Sequence, residues 1–231
     1  PERLEALKAL FDREAVAMSV YPLRDAAARR GGDYAVPHSL EDHQKMAYNL
    51  AHVRMPEHAV LNLKNVSYRI SARVDLPEPV STGVIACQGG NMGGWSLYLD
   101  QGGRPTYLYN WFGHTLTFLA SDSVLNEGRH DIVVEYTHDG GFGAGGDAVL
   151  IVDGVQSAQG RIPQTVPVIY SMSGETFDVG RDTGSPVGPY PHNFRFSGEI
   201  EQVVLERLSE VSAETKSAER RGQFKASLSS Q

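Results

Sequence analysis

The apolar positions of this chain follow two different periods. Over residues 2–18, ERLEALKALFDREAVAM, the side chains Leu4, Leu7, Leu10 and Phe11 recur at helical spacing and predict an amphipathic helix. Pro1 and Glu2 suit its start. Tyr21-Pro22 requires it to have ended, because a residue that precedes proline avoids the α region. One helix cannot bury such a stripe by itself. Leu4, Leu7, Leu10 and Phe11 are therefore expected to dock on a partner, either the rest of this chain or a domain upstream of it. Residues 21–62 carry no sustained period, and Pro22, Gly31, Gly32, Pro37 and Pro56 mark them as an irregular connection.

From about residue 63 the period becomes two, with turns at short intervals. SYRISARVDL alternates up to Pro77-Glu78-Pro79, STGVIACQGG is a short apolar strand, and Gly93–Gly113 is an aromatic hairpin. HTLTFLAS and RHDIVVEYTHD alternate, and GGFGAGGD connects to AVLIVDGVQSAQGRI, a hairpin whose Asp153-Gly154 pair is a two-residue turn signal. FRFSGEIEQVVLERL closes the set. Many short strands with abundant glycine predict a mainly-β antiparallel jelly-roll sandwich of the concanavalin/laminin-G kind over 63–208. The Cys…Trp…Cys spacing of immunoglobulin domains is absent. Residues 209–231, rich in Ser, Glu, Lys and Arg, read as a mobile tail.

The hairpin GGWSLYLDQGGRPTYLYNWFG admits two registers. If Asp100 faces Pro105, then Trp95, Leu97 and Leu99 share one face with Thr106 and Leu108, and Tyr98, Tyr107 and Tyr109 share the other as a ligand platform. A shift of one residue instead gathers Trp95, Leu97, Leu99, Tyr107, Tyr109 and Trp111 on one face, because each step flips the faces. In both registers the Trp95/Leu97/Leu99 face is core.

Composition narrows the function classes. A formal net charge of −7 argues against a nucleic-acid partner. No apolar run approaches the roughly 20 residues of a membrane span. The single cysteine, Cys87, leaves neither an internal disulfide nor a thiolate cluster. It lies in apolar VIACQGG without a basic neighbour, as a buried inert thiol would. The first residues do not form a signal peptide, and a chain that begins at Pro1 is expected to be a fragment or a processed product.

Candidate chemistry is thin. His38, His43, His52 and His58 follow no compact ligand spacing. Glu175, Asp178 and Asp182, in the glycine-containing loop SGETFDVGRDTGSP, are candidate oxygen ligands for a structural Ca²⁺, although EF-hand spacing is absent. Glu199 and Glu201 point the same way on one strand, roughly 6–7 Å apart, a separation suited to a carboxylate pair in glycoside hydrolysis. Asn65-Val66-Ser67 matches the glycosylation sequon but starts a strand.

Several stretches, taken together and in order, resemble the C-terminal region of large bacterial arylsulfatases. PERLEALKALFDREAVAMSVYPL resembles the last helix of the sulfatase fold. MAYNLAHVRMPEHAVLNLKNVSYRISARVDLP, GVIACQGGNMGGWSLYLDQGGRPTYLYNWFG, GGDAVLIVDGV, GETFDVGRDTGSPV and FSGEIEQVVLE resemble the all-β extension that follows it. Tyr48-Asn49-Leu50-Ala51 stands where that family usually shows a Tyr-Tyr-Pro-Gly-like stretch. Cys87-Gln88-Gly89-Gly90 does not match the Cys/Ser-x-Pro-x-Arg motif that matures to formylglycine, so no catalytic residue carries over to this chain. The resemblance implies the non-catalytic C-terminal portion of a bacterial sulfuric ester hydrolase. Its partner would be a catalytic domain in cis, with a homo-oligomer as a further association. Formylglycine and Ca²⁺ would belong to that domain, in the cytoplasm or the periplasm. The alternative expectation is a free-standing carbohydrate-binding module that uses Tyr98, Tyr107 and Tyr109. A third is a sandwich glycosidase that uses Glu199 and Glu201.

Overall fold

The computed structural model describes residues 2–17, 40, 43–170 and 174–229. The period-two segments become strands β1 (Lys45–Tyr48), β2 (Met55–Pro56), β3 (Tyr68–Leu76), β4 (Gly83–Gly90), β5 (Gly93–Leu99) and β6 (Pro105–Trp111). They continue as β7 (Thr115–Ala120), β8 (Gly128–His138), β9 (Ala144–Val152), β10 (Val155–Gln164), β11 (Thr176–Val179) and β12 (Glu199–Arg207). Two six-stranded sheets result, β1-β12-β3-β8-β9-β10 and β2-β11-β4-β5-β6-β7. All named strand pairs are antiparallel. The chain passes repeatedly from one sheet to the other, which makes the architecture an antiparallel jelly-roll sandwich.

The core lies between the sheets. On β3, Tyr68, Ile70, Ala72, Val74 and Leu76 point inward at alternate positions, and they meet Trp95, Leu97 and Leu99 from the facing sheet. The Tyr68 and Tyr107 hydroxyls join at 2.6 Å in this core, so both phenols are buried with their polar ends paired. The outer face of the first sheet is wet. Arg69 bridges Glu135 and Glu206 there, and Arg73 bridges Asp131 and Glu201. At the β9–β10 turn, Asp153 and Gly154 take φ values of 51° and 79°, the conformation that an Asp-Gly turn needs.

Helix α1 (Glu2–Ala17) forms over the predicted residues, and Leu4, Leu7, Leu10 and Phe11 are 56%, 55%, 42% and 52% exposed on it. The stretch read as an irregular connection contributes two short strands. β1 pairs with β12 and β2 with β11, so 43–62 help to build both sheets. Two- and four-residue strands are too short to show a period, and only long-range pairing defines them. The stretch expected as a mobile tail holds helix α2 (Ala213–Ser229), capped by the Ser212 hydroxyl on the Thr215 amide at 3.1 Å. Its Glu219 accepts a 2.6 Å hydrogen bond from Asn65 Nδ2. Asn65 is buried, and the same Nδ2 donates to Pro167 O, so the sequon asparagine is a structural tie and its amide is closed to glycosylation in the folded chain. Among the described residues no helix is long and apolar enough to cross a membrane.

Candidate functional site

The second sheet is buried on both faces at β4 and β5, where every residue is buried. Its inner face meets the core. Its outer face is covered by the loop 181–196, which lays Val187, Tyr190 and Phe194 on Val84, Cys87, Tyr98 and Leu108. A one-pair parallel bridge between Val84 and Arg195 fixes the end of that loop. Two buried aspartates hold it down. Asp178 accepts from the Arg54 amide at 2.6 Å and from the Thr183 hydroxyl at 2.8 Å. Asp182 accepts from the Val187 amide at 3.1 Å and the Tyr190 hydroxyl at 2.8 Å. Burial raises the Asp182 carboxyl above its ordinary range, and the Tyr190 and Val187 hydrogen bonds oppose that rise.

At one end of the sheet a single side chain organises three loops. Asn110 is 2% exposed. Its Nδ2 donates to Gly90 O at 3.3 Å, Asn91 O at 3.1 Å and Val187 O at 2.8 Å, and its Oδ1 accepts from the Gly113 amide at 2.7 Å. The β4–β5 turn, the β6–β7 turn and the covering loop are thereby fixed to one another. Ser185 adds a second tie: its hydroxyl accepts from the Asn91 amide at 3.1 Å and donates to Glu175 at 2.6 Å. The crossing is close: a Cβ on Gly184 would lie 1.8 Å from Glu175 Oε2, so any side chain there would displace the Glu175 carboxylate from Ser185.

This end presents aromatic rings to solvent. Trp111 is half-buried and packs in part on the core, with Phe112 at 5.6 Å and His114 at 6.0 Å between ring centroids. Met92 is 57% exposed on the neighbouring turn, beside the exposed Asn91. Phe112 is 36% exposed and its φ is +50°. A bulky residue in the left-handed region is strained, and burial does not explain a phenylalanine here.

No protein-family model matches the chain, and no curated protein matches it. Among solved structures it is similar to the Ruminococcus gnavus IT-sialidase CBM40 bound to α2,3-sialyllactose, with 15% identity over 77% of this chain and 94% of that one, at a TM-score of 0.48. It is also similar to a heptameric SAP-like pentraxin from Limulus polyphemus, with 13% identity, coverages of 68% and 71%, and a TM-score of 0.40. A third similarity is to sheep galectin-11 in complex with glycerol, with 11% identity, coverages of 70% and 95%, and a TM-score of 0.37. At these identities and TM-scores none of the three bears on what this chain binds.

The tyrosine platform expected from the hairpin does not form. The register pairs Leu99 with Pro105, Leu97 with Tyr107 and Trp95 with Tyr109, which is the shifted alternative. Tyr107 and Tyr109 consequently lie in the core, 0% and 2% exposed, and burial drives both phenols up. Tyr98 faces the other way but is covered by Tyr190 at 5.0 Å, and burial raises it to about 12. Asp100 decides the register: its carboxylate accepts from the Gly102 and Arg104 amides at 2.8 and 2.9 Å and so closes a tighter turn.

The oxygen-ligand candidates separate. Asp178 and Asp182 come together with Cys87, ligand atoms within 4.8 Å of one another, whereas Glu175 is engaged by Ser185. Cys87 is buried as expected, and burial, with the two aspartates, drives its thiol well up. Glu199 and Glu201 are exposed on the first sheet, where Glu201 is the extra residue of a bulge and is paired with Arg73 at 3.3 Å. Of the histidines expected near the connection, His38 lies outside the described residues. His52 bonds the Asn49 amide within its own turn. Trp111 and Phe112 escaped the sequence reading as a surface because they end a hairpin whose other rings are core; the Asn-Trp-Phe-Gly sequence at the turn was the available signal.

Proposed function

We propose that this chain is a non-catalytic carbohydrate-binding β-sandwich module. Its binding surface is the loop end bearing Asn91, Trp111, Phe112 and His114. The observation that carries this reading is Phe112, an exposed aromatic ring held on a left-handed backbone by its neighbours. Strain of this kind collects where a side chain must be presented to a ligand. A flat ring beside amide groups suits a sugar, whose C–H face packs on aromatic carbon while its hydroxyls exchange hydrogen bonds with an adjacent polar rim. The test is affinity electrophoresis and calorimetry on a panel of polysaccharides and sialylated oligosaccharides. Retention is expected for the native chain and is expected to fall at least tenfold in Phe112→Ala with its melting temperature preserved, and in Trp111→Ala with the fold verified by circular dichroism, since Trp111 also packs on the core and its loss lowers stability. No retention on any member of the panel, or retention untouched by both substitutions, sinks the reading.

A second reading concerns a different surface and is compatible with the first. Leu4, Leu7 and Leu10 leave an apolar helix face open to solvent, which favours docking of α1 on a larger partner; by the sequence resemblance that partner would be the catalytic domain of an arylsulfatase-like sulfuric ester hydrolase. Leu7→Glu is expected to abolish co-purification with a sulfatase catalytic domain expressed in trans. A complex of equal strength in that variant removes this reading.

A further inference from the structure

The register of the second sheet sets a row of side chains across its outer face: Asp178 on β11 opposite Cys87 on β4, Cys87 opposite Ser96 on β5. Asp182 reaches the same point from the covering loop, and the thiol and the two carboxylates lie within 4.8 Å of one another. All four residues are buried, with exposures of 1%, 0%, 0% and 1% for Asp178, Cys87, Ser96 and Asp182. The donors to the carboxylates are neutral: amides of Arg54, Thr183 and Val187, and hydroxyls of Thr176, Thr183 and Tyr190. Among the described residues neither aspartate has an ion-pair partner. Two adjacent buried carboxylates without a cation are costly. Ser96 supplies an independent sign. Its hydroxyl lies in this row beside Tyr190, is fully buried, and makes no hydrogen bond of sound geometry. Buried hydroxyls are normally paired, and one that is not points to a missing ligand or water.

We infer that Cys87, Asp178 and Asp182 form a site for one thiophilic divalent cation of the Zn²⁺ class, with Ser96 directed at the cation or at its bound water. This goes beyond carbohydrate binding and uses a different part of the molecule. A thiolate with two carboxylates suits Zn²⁺ or Co²⁺; Ca²⁺ takes six to eight oxygens and no sulfur. Tetrahedral bonds of about 2.3 Å to sulfur and about 2.0 Å to oxygen place the ligand atoms roughly 3.3–3.5 Å apart. Rotation of the carboxylates closes the remaining gap. On binding, the Cys87 proton leaves to solvent, the 3.6 Å contact of Sγ with Arg181 O gives way to the S–metal bond, and the cation offsets the carboxylate charge. Because Asp182 sits on the covering loop, the cation would lock that loop onto the sheet.

The experiment refolds the full chain from urea with a chelator, then titrates it with Co²⁺ alone. The expected result is a near-ultraviolet sulfur-to-cobalt charge-transfer band that saturates near one metal per chain. The melting temperature should rise, and Zn²⁺ should displace the cobalt. Cys87→Ser should lose the band, and Asp182→Asn should weaken binding at least tenfold. Circular dichroism checks that each variant is folded, and Asp182→Asn serves if Cys87→Ser does not fold. No band and no bound metal in the refolded native chain overturns the inference. So does cobalt bound equally by the native chain and by whichever variants fold.

Discussion

Replacing Asn110 by alanine removes the side chain that ties together the three loops of the candidate binding surface. Two N–H groups shared among Gly90, Asn91 and Val187 carbonyls, and one oxygen facing the Gly113 amide, amount to three hydrogen bonds in a buried setting. At about 1 kcal/mol each, the loss is about 3 kcal/mol. With a urea slope of about 2 kcal/mol per molar, the unfolding midpoint should fall by about 1.5 M. Asn110→Asp makes the reasoning sharper. It has nearly the same shape and keeps the acceptor for Gly113, but it points a carboxylate at three carbonyl oxygens and supplies no donor. It should be less stable than the alanine variant. Urea titration followed by tryptophan fluorescence measures both. A midpoint shift below about 0.5 M for Asn110→Ala, equivalent to about 1 kcal/mol, would refute the hub. So would an aspartate variant more stable than the alanine one.

Phe112→Gly should keep or raise the melting temperature, because glycine accepts φ +50° without strain, while abolishing polysaccharide retention; a large loss of stability would show that the ring has a packing role instead. Burial pushes the Asp100 carboxyl up, but hydrogen bonds from the Arg104 amide and guanidinium and the Gly102 amide outweigh it and hold it below its ordinary 3.8. A carboxylate depressed in the folded state contributes stability that is present above its unfolded value and lost as pH falls through the folded value. Acid unfolding below about pH 4 should therefore be blunted in Asp100→Asn relative to the native chain, and parallel acid limbs would argue against this. Lys64 is 6% exposed in an ion pair with Glu57 and lies 4.7 Å from the Tyr170 ring centroid. Glu57→Gln is expected to cost about 3 kcal/mol by leaving that charge buried, and adding Lys64→Met to restore part of it; calorimetry in which the double variant is the worse of the two would contradict this.

Much of the fold is written in local pattern. The alternation in SYRISARVDL, RHDIVVEYTHD and AVLIV, the Asp153-Gly154 turn and the stripe of α1 each depend on neighbours a few residues apart, so period and turn chemistry are enough to read them. That Trp95, Leu97 and Leu99 are core also follows in either register. The faces of Tyr107 and Tyr109 do not. They hang on a one-residue choice that the Asp100 turn makes, and a strand's side chains all change sides together. The covering loop is equally illegible. SGETFDVGRDTGSP reads as a glycine-containing loop of candidate oxygen ligands, and its local pattern does not show that Asp178 and Asp182 are buried by a segment that folds back over β4, β5 and β6.

What the sequence determined by itself is therefore the sandwich class, the N-terminal amphipathic helix and the set of apolar residues available to a core. The tertiary structure alone decided which aromatics reach the surface, that Asn110 holds three loops at one point, and that Cys87 meets two aspartates 91 and 95 residues further along the chain. The physical reason is range. Periodicity and turn propensity act over a few residues, whereas a binding surface or a ligand set is assembled by contacts whose partners are distant in sequence and become neighbours only when the sheets close.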